Sequence, residues 1–449
     1  MVHWIGNQPH GYLLWALHFL DMKRIAFFFW ICLFGAACTP TVKTWYLTSE
    51  EVEWRKSPAV SPAGKGRDCC RDKMNYIPDT NHLDHTPIRY IRVNFHLMNS
   101  LDSTCFFDEE TGRKYVHSLL FNAEKRIKNN QKMFLPPGNN TPVIPPRYRY
   151  KLTPTNYLPN DDGIYFHYNN DRSFFVNKGR NRNNYSREVI HDFGIQLDTV
   201  LNAFLMPIHP DSLKSKTYQG KDSGIALGNA IKIGGDYLGG RMKPWITQKY
   251  FNHEIGHILT LAHTWRYNDG CDDTPKNPNC WNKSQSPECD SLASNNFMDY
   301  NAYQNAWSPC QIGKIHYALS RPESRQRKFL EPTWCELKEN RHIFIRDSVH
   351  WKSMKDLEGH LTIEPGGVLK ISCRVSLPKG ARLTVKPGGT LILDNCRLHN
   401  DCGDKWAGIE VQKQGREKGR VIFIDQPLIE DVAQPLLSGH PNKSRHNGR

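Results

Sequence analysis

Residues 250–265, from Tyr250 to Trp265, read YFNHEIGHILTLAHTW, and the fold turns on how this stretch is read. His253 and His257 stand four residues apart, which on a helix puts both imidazoles on one face with Glu254 beside them. Two imidazoles do not hold a catalytic metal ion. The third donor, His263, comes six residues after His257, and a continued helix would carry it about 9 Å along the axis to the wrong side. The chain must therefore turn after His257. Downstream lie GCDDTPKNPNCW, then Cys289, then Asn296-Phe297-Met298-Asp299-Tyr300 and Pro309-Cys310-Gln311. HExxH alone on an exposed helix is equally a solvated charged face. With His263 and Met298 following in order, a metal site is the better reading.

Taken together, these residues resemble the pappalysin-like (cytophagalysin) family of metzincin zinc proteases, in which HExxHxLxLxHTW leads into a cysteine-bearing DTP loop and an NxMDY turn. The resemblance runs from about residue 201 to 319. It implies an α+β fold, a mixed twisted sheet with an active-site helix, and a zinc endopeptidase. His253, His257 and His263 would hold Zn²⁺ and leave a fourth position for water, with Glu254 as general base. Met298 would pack beneath the histidines without touching the metal. Tyr300 would reach the zinc or the developing oxyanion, unless it is simply a packed core tyrosine. The resemblance further implies disulfides Cys271 with Cys289 and Cys280 with Cys310, and a Ca²⁺ ion at Asp272, Asp273 and Thr274. The substrate would lie extended along an edge strand around Gly224–Gly228.

One position departs from the family. Thr260 stands where Gly is usual, at a turn that tends to need positive φ, a strained conformation for a β-branched residue. The expectation is that the helix ends differently, with the zinc site intact.

The 449 residues suggest two to three domains. A formal charge of +14 raises the question of nucleic acid, but no basic repeat interleaved with aromatics is present, so solvated basic faces are the better reading. Met22-Lys23-Arg24 followed by IAFFFWICLFGAAC reads as a secretory signal, and Gly35-Ala36-Ala37-Cys38 resembles a bacterial lipoprotein box with Cys38 as the lipidated residue. The expected location is the cell envelope of a bacterium, anchored to the membrane by lipid, or otherwise secreted. Of 13 cysteines, 11 follow the box, and four of these, Cys271, Cys280, Cys289 and Cys310, lack the paired CxxC rhythm of a structural zinc, so disulfides are expected there. Cys69-Cys70 reads as a disulfide member or as a cysteine that blocks the zinc.

In chain order, residues 39–84 read as a polar tether or pro-segment, and Ile88–Met98 as the first strand. Tyr115–Lys132 reads as a helix, Arg147–Leu152, Ile164–Tyr168 and Val200–Ile208 as strands, and residues 247–259 as the active-site helix. After Cys335 an internal repeat appears at a spacing of 22: HLTIEPGGVLKIS from His360 aligns with RLTVKPGGTLILD from Arg382. Leu361, Ile363, Val368, Leu369 and Ile371 match Leu383, Val385, Thr390, Leu391 and Leu393. Trp406–Val411 looks like a further rung, and the pattern implies a short parallel β-solenoid. The expected organisation is a leader and signal at 1–38, a tether at 39–84, a metalloprotease domain at 85–335, solenoid repeats at 336–425 and a basic tail at 426–449. Two rival functions are an inactive adhesion or scaffold lipoprotein that binds through its solenoid, and a solenoid enzyme acting on polysaccharide. The intact Glu254 weighs against the first and the small number of rungs against the second.

Overall fold

Strand β2 (Arg89–Asn99) is the spine of the first part of the molecule. The computed structural model describes residues 41–47, 70–155, 160–217, 220–265 and 268–433. The signal, Cys38, Cys69, the middle of the expected tether and most of the basic tail lie outside these. Rich in β-branched and aromatic residues, β2 is buried along almost its whole length. On one side it pairs in parallel with β3 (Tyr148–Leu152) along its first half and β4 (Ile164–Tyr168) along its second. On the other it pairs with β5 (Leu201–Pro207), which pairs with β7 (Ala230–Gly235). The antiparallel β6 (Ser223–Ala226) closes the sheet as its edge, giving the order β3-β2-β5-β7-β6.

Helix α1 (Glu109–Lys128) begins six residues before its expected start, because Asp108 caps it by accepting from Thr111 N at 2.8 Å. Helix α2 (Pro244–Ile258) packs against both α1 and the sheet. Phe251 stacks on Phe95 with ring centroids 5.5 Å apart, and Asn252 Nδ2 donates to Ala123 O of α1 at 3.2 Å. A third helix, α3 (Pro309–Ser320), covers the end of this core.

From Ile343 on, a second core forms between three parallel sheets. One holds Ile343–Ile345, Leu361–Ile363, Arg382–Val385 and Gly408–Gln414. The second holds Ser348–Trp351, Val368–Ile371, Thr390–Asp394 and Arg420–Ile424. The third holds Lys355–Asp356, Arg374–Ser376, Arg397–His399 and Leu428–Ile429. The residues aligned across the 22-residue repeat are register partners: Leu361 faces Leu383, and Leu369 faces Leu391. The Pro-Gly-Gly turns have a steric cause. Gly366 sits at φ +81°, and a β-carbon at Gly367 would stand 2.3 Å from Ile345 O of the neighbouring strand segment.

The tether expectation is corrected over its described residues. Val42–Tyr46 forms β1, antiparallel to Gly408–Gln414, with Trp45 and Leu47 packed on the second core. Cys70 bonds Cys373, and Tyr76 packs edge-on against Tyr317 of α3 at 5.2 Å. A mostly polar composition hid one short strand of mixed polarity. Between the two cores lies a buried ionic cluster: Asp356 takes a forked contact from Arg327 at 2.6 and 3.1 Å and one from Arg374 at 2.8 Å, with Arg89 at 3.6 Å. A Cys335–Cys402 disulfide also links the two parts.

Candidate active site

Helix α2 starts on Pro244, three residues earlier than expected, and presents His253, Glu254 and His257 toward the edge strand and the loops beyond it. It ends in a left-handed turn. Thr260 N donates to His257 O and Leu261 N to Gly256 O, both at 3.0 Å, the paired bonds of a Schellman cap. Thr260 has φ +75°. The expectation of a different helix ending is therefore corrected: the threonine takes the conformation usually left to glycine. Its side chain is exposed, so the branched carbon strains only its own backbone, by roughly 1–3 kcal/mol. What holds it there is visible in the next residue, whose carbonyl accepts from His257 Nδ1 at 2.9 Å.

The turn brings His263 back over the helix. The Nε2 atoms of His253, His257 and His263 lie 3.1–3.2 Å from one another. His253 Nδ1 lies 2.7 Å from Phe297 O, so in both helical histidines Nδ1 must carry the proton and Nε2 the lone pair. Burial holds the His253 imidazole down to about 3, with His257 and His263 adding to it, and burial lowers His257 as well. Neutral lone pairs at this spacing repel unless a cation lies among them. Tetrahedral Zn²⁺ with bonds of about 2.0–2.1 Å puts its ligand nitrogens roughly 3.3 Å apart, so the triad fits such an ion.

Glu254 is 6 % exposed and lies against β6. A β-carbon at Gly224 would stand 2.6 Å from its Oε1, so only glycine lets the edge strand approach this closely. Burial pushes the Glu254 carboxyl up to about 8, and a hydrogen bond from the Ala226 backbone opposes the shift.

Met298 is fully buried beneath the triad, and a β-carbon at Gly256 would stand 2.4 Å from its sulfur. Tyr300 is 48 % exposed, its ring 5.5 Å from that of His253 and 5.0 Å from that of His263. Two supporting residues had no role in the sequence reading. Asp299, fully buried, accepts from Thr264 N at 3.2 Å, from Thr264 Oγ1 at 2.6 Å and from Asn277 Nδ2 at 3.1 Å. It thereby ties the segment after His263 to the Met298 turn. Its position between Met298 and Tyr300 was the available signal. Trp265 stacks on His263 at 5.4 Å.

The expected disulfide pairing is corrected. Cys271 bonds Cys310 and Cys280 bonds Cys289, a nested arrangement. The cause is Asp273, which accepts from Ser308 Oγ at 2.6 Å and Cys310 N at 2.9 Å at the start of α3 and so draws Cys271 to Cys310. Of the three residues expected at calcium, Asp273 is thus engaged at that cap, Thr274 Oγ1 bonds Asp269 Oδ2 at 2.8 Å, and Asp272 is exposed.

Residues 221–320 match the family model described as pregnancy-associated plasma protein-A, a peptidase family. Among solved structures, mature mirolysin of Tannerella forsythia in complex with a cleaved peptide is similar at 16% identity and TM-score 0.37, over 54% of this chain and 94% of that one. Mirolysin in complex with compound 9 is similar at 15% and 0.37, over 54% and 96%. A Tannerella forsythia promirolysin mutant is similar at 15% and 0.38, over 58% and 88%. The comparison with curated proteins returned no match. The matched stretch holds the three histidines, Glu254 and the Met298 turn, and over it this chain is similar to the pappalysin family of metalloproteases.

Proposed function

We propose that the protein is a zinc-dependent endopeptidase that hydrolyses internal peptide bonds of proteins. The observation that carries this is the triad: three Nε2 atoms within 3.2 Å, two of them aimed by backbone carbonyls on the far side of the ring. His253, His257 and His263 would hold Zn²⁺, whose Lewis acidity acts on the scissile carbonyl and on water. An extended peptide adds to the free side of β6 by main-chain hydrogen bonds. Glu254, at the start of that strand, takes the proton of the attacking water and passes it to the leaving nitrogen. Its contact with Gly224 fixes the carboxylate beside the substrate backbone. The Tyr300 phenol, half-exposed next to two of the histidines, donates to the oxygen on which charge develops.

The reading of the C-terminal part as a short β-solenoid rests on its three parallel sheets and the 22-residue register. Export rests on four disulfides among the described residues, which suit an oxidising compartment. The Cys38 anchor rests on the sequence box alone. Among the described residues no helix is long and apolar enough to cross a membrane.

The test is metal analysis of the purified protein with a casein or peptide-library assay on wild type and Glu254→Ala. One equivalent of zinc, cleavage by wild type and at least a thousandfold loss in the variant support the reading. Equal cleavage by both, or by neither, sinks it.

A further inference from the structure

The edge strand that meets Glu254 at one end meets a cationic cleft at the other. A β-carbon at Gly228, at the tip of the turn from β6 to β7, would stand 2.6 Å from Arg325 Nη1, so the guanidinium lies directly over the backbone there. Arg325 and Lys328 line a cleft of about 460 Å³ together with Arg187, Asn229, Asp198 and Glu323. Arg187 is committed to the turn itself, donating to Leu227 O and, at 2.8 Å, to Asn229 Oδ1. Glu323 lies 3.6 Å from Arg321. Arg325 and Lys328 make no side-chain hydrogen bond or ion pair with another described residue. Two cations thus face one open cleft that also holds the Asp198 carboxylate, and neither forms an ion pair with it.

The same strand gives the distance. Gly224 lies in β6 against the Glu254 carboxylate and Gly228 lies under Arg325 in the turn just past the end of β6 at Ala226, so the two are at most about 13 Å apart at roughly 3.3 Å per residue. A peptide added along β6 with its scissile bond at Glu254 would bring its third or fourth residue, on one side only, to the mouth of this cleft. We propose that the Arg325–Lys328 cleft is a substrate subsite that selects a carboxylate side chain, Asp or Glu, at that position. The proposal rests on the endopeptidase reading. Its chemistry is charge-assisted hydrogen bonding between a guanidinium, an ammonium and one carboxylate. A basic residue at the same position meets two like charges and is rejected.

The experiment uses the zinc-supplemented full chain at low ionic strength and fluorogenic peptides that differ only in Asp, Ala or Lys at the third and fourth residues on each side of the bond. The expected result is an Asp-to-Lys ratio in kcat/KM of about tenfold or more on one side, and near unity on the other. Arg325→Glu should invert that ratio, and Lys328→Glu should invert it or bring it to unity, a reversal that general loss of structure does not produce. Cleavage of neutral peptides with no acidic preference, or a preference that both variants retain, overturns the subsite and leaves the endopeptidase reading standing. Failure to cleave any of the peptides overturns both.

Discussion

The Asp299 carboxylate holds the Thr264 hydroxyl with both oxygens, at 2.6 and 2.7 Å. Thr264 follows His263 and Asp299 follows Met298, so one contact fixes the third histidine relative to the floor of the site. Asp299→Ala should weaken zinc binding on the order of 10–100-fold, the usual effect of losing a partner behind the ligands. Competition with a fluorescent chelator measures this, and an unchanged affinity would separate Asp299 from the site.

Gly256 and Met298 are in contact with no room between them. Gly256→Ala adds a methyl where sulfur already stands, and overpacking of this kind costs about 1–3 kcal/mol. The higher helix propensity of alanine offsets up to about 1 kcal/mol of that. A net fall in melting temperature is expected, with a larger fall in kcat/KM, since the methyl pushes on the turn that carries Tyr300.

Thr260→Gly should raise stability. Release of the left-handed strain outweighs the added freedom of the unfolded chain, for a net gain of about 1 kcal/mol. Denaturant titration reads this directly. A loss instead would mean that the threonine makes up its strain through interactions that glycine lacks.

Acid should loosen the joint between the two cores. Burial alone would raise the Asp356 carboxyl, but Arg374, Arg327 and Arg89 more than offset it and hold it well below the usual carboxylate range. A group depressed on folding lends stability above its unfolded pKa of about 4, and that stability is lost as pH falls toward the folded value. Unfolding free energy should therefore decline below about pH 4, and Asp356→Asn should flatten that limb. The same variant leaves three buried arginines short of a partner, a loss of about 3–5 kcal/mol at neutral pH.

Much of the site was legible because its chemistry is local. The spacing of His253, Glu254 and His257 on one helix, and the need to turn before His263, follow from helical geometry alone. Failure at Thr260 came from trusting a conformational preference over the local hydrogen bonds of the cap and the contact of His257 Nδ1 with Leu261 O. The cysteine pairing failed for a related reason: spacing carries no information on Asp273, whose hold on Ser308 and Cys310 decides which thiols meet. In the C-terminal part, the 22-residue repeat around the Pro-Gly-Gly turns aligned residues that the parallel strands pair. The strands Ile343–Ile345 and Ser348–Trp351 have no such turn and were not singled out. The strand Val42–Tyr46 was missed because five residues of mixed polarity say little until the edge they complete is known.

That strand sets an order of events for folding. Tyr46 pairs with Glu410, a separation of 364 residues (410 minus 46), so an early-made piece waits for nearly the last of the described chain before it can dock. Closing so long a loop is slow, and until it closes Gly408–Gln414 presents a free backbone edge to any neighbouring polypeptide. A chain clipped after Tyr46 would lose this clasp and keep its catalytic residues, and self-association in proportion to concentration is the outcome to expect of it.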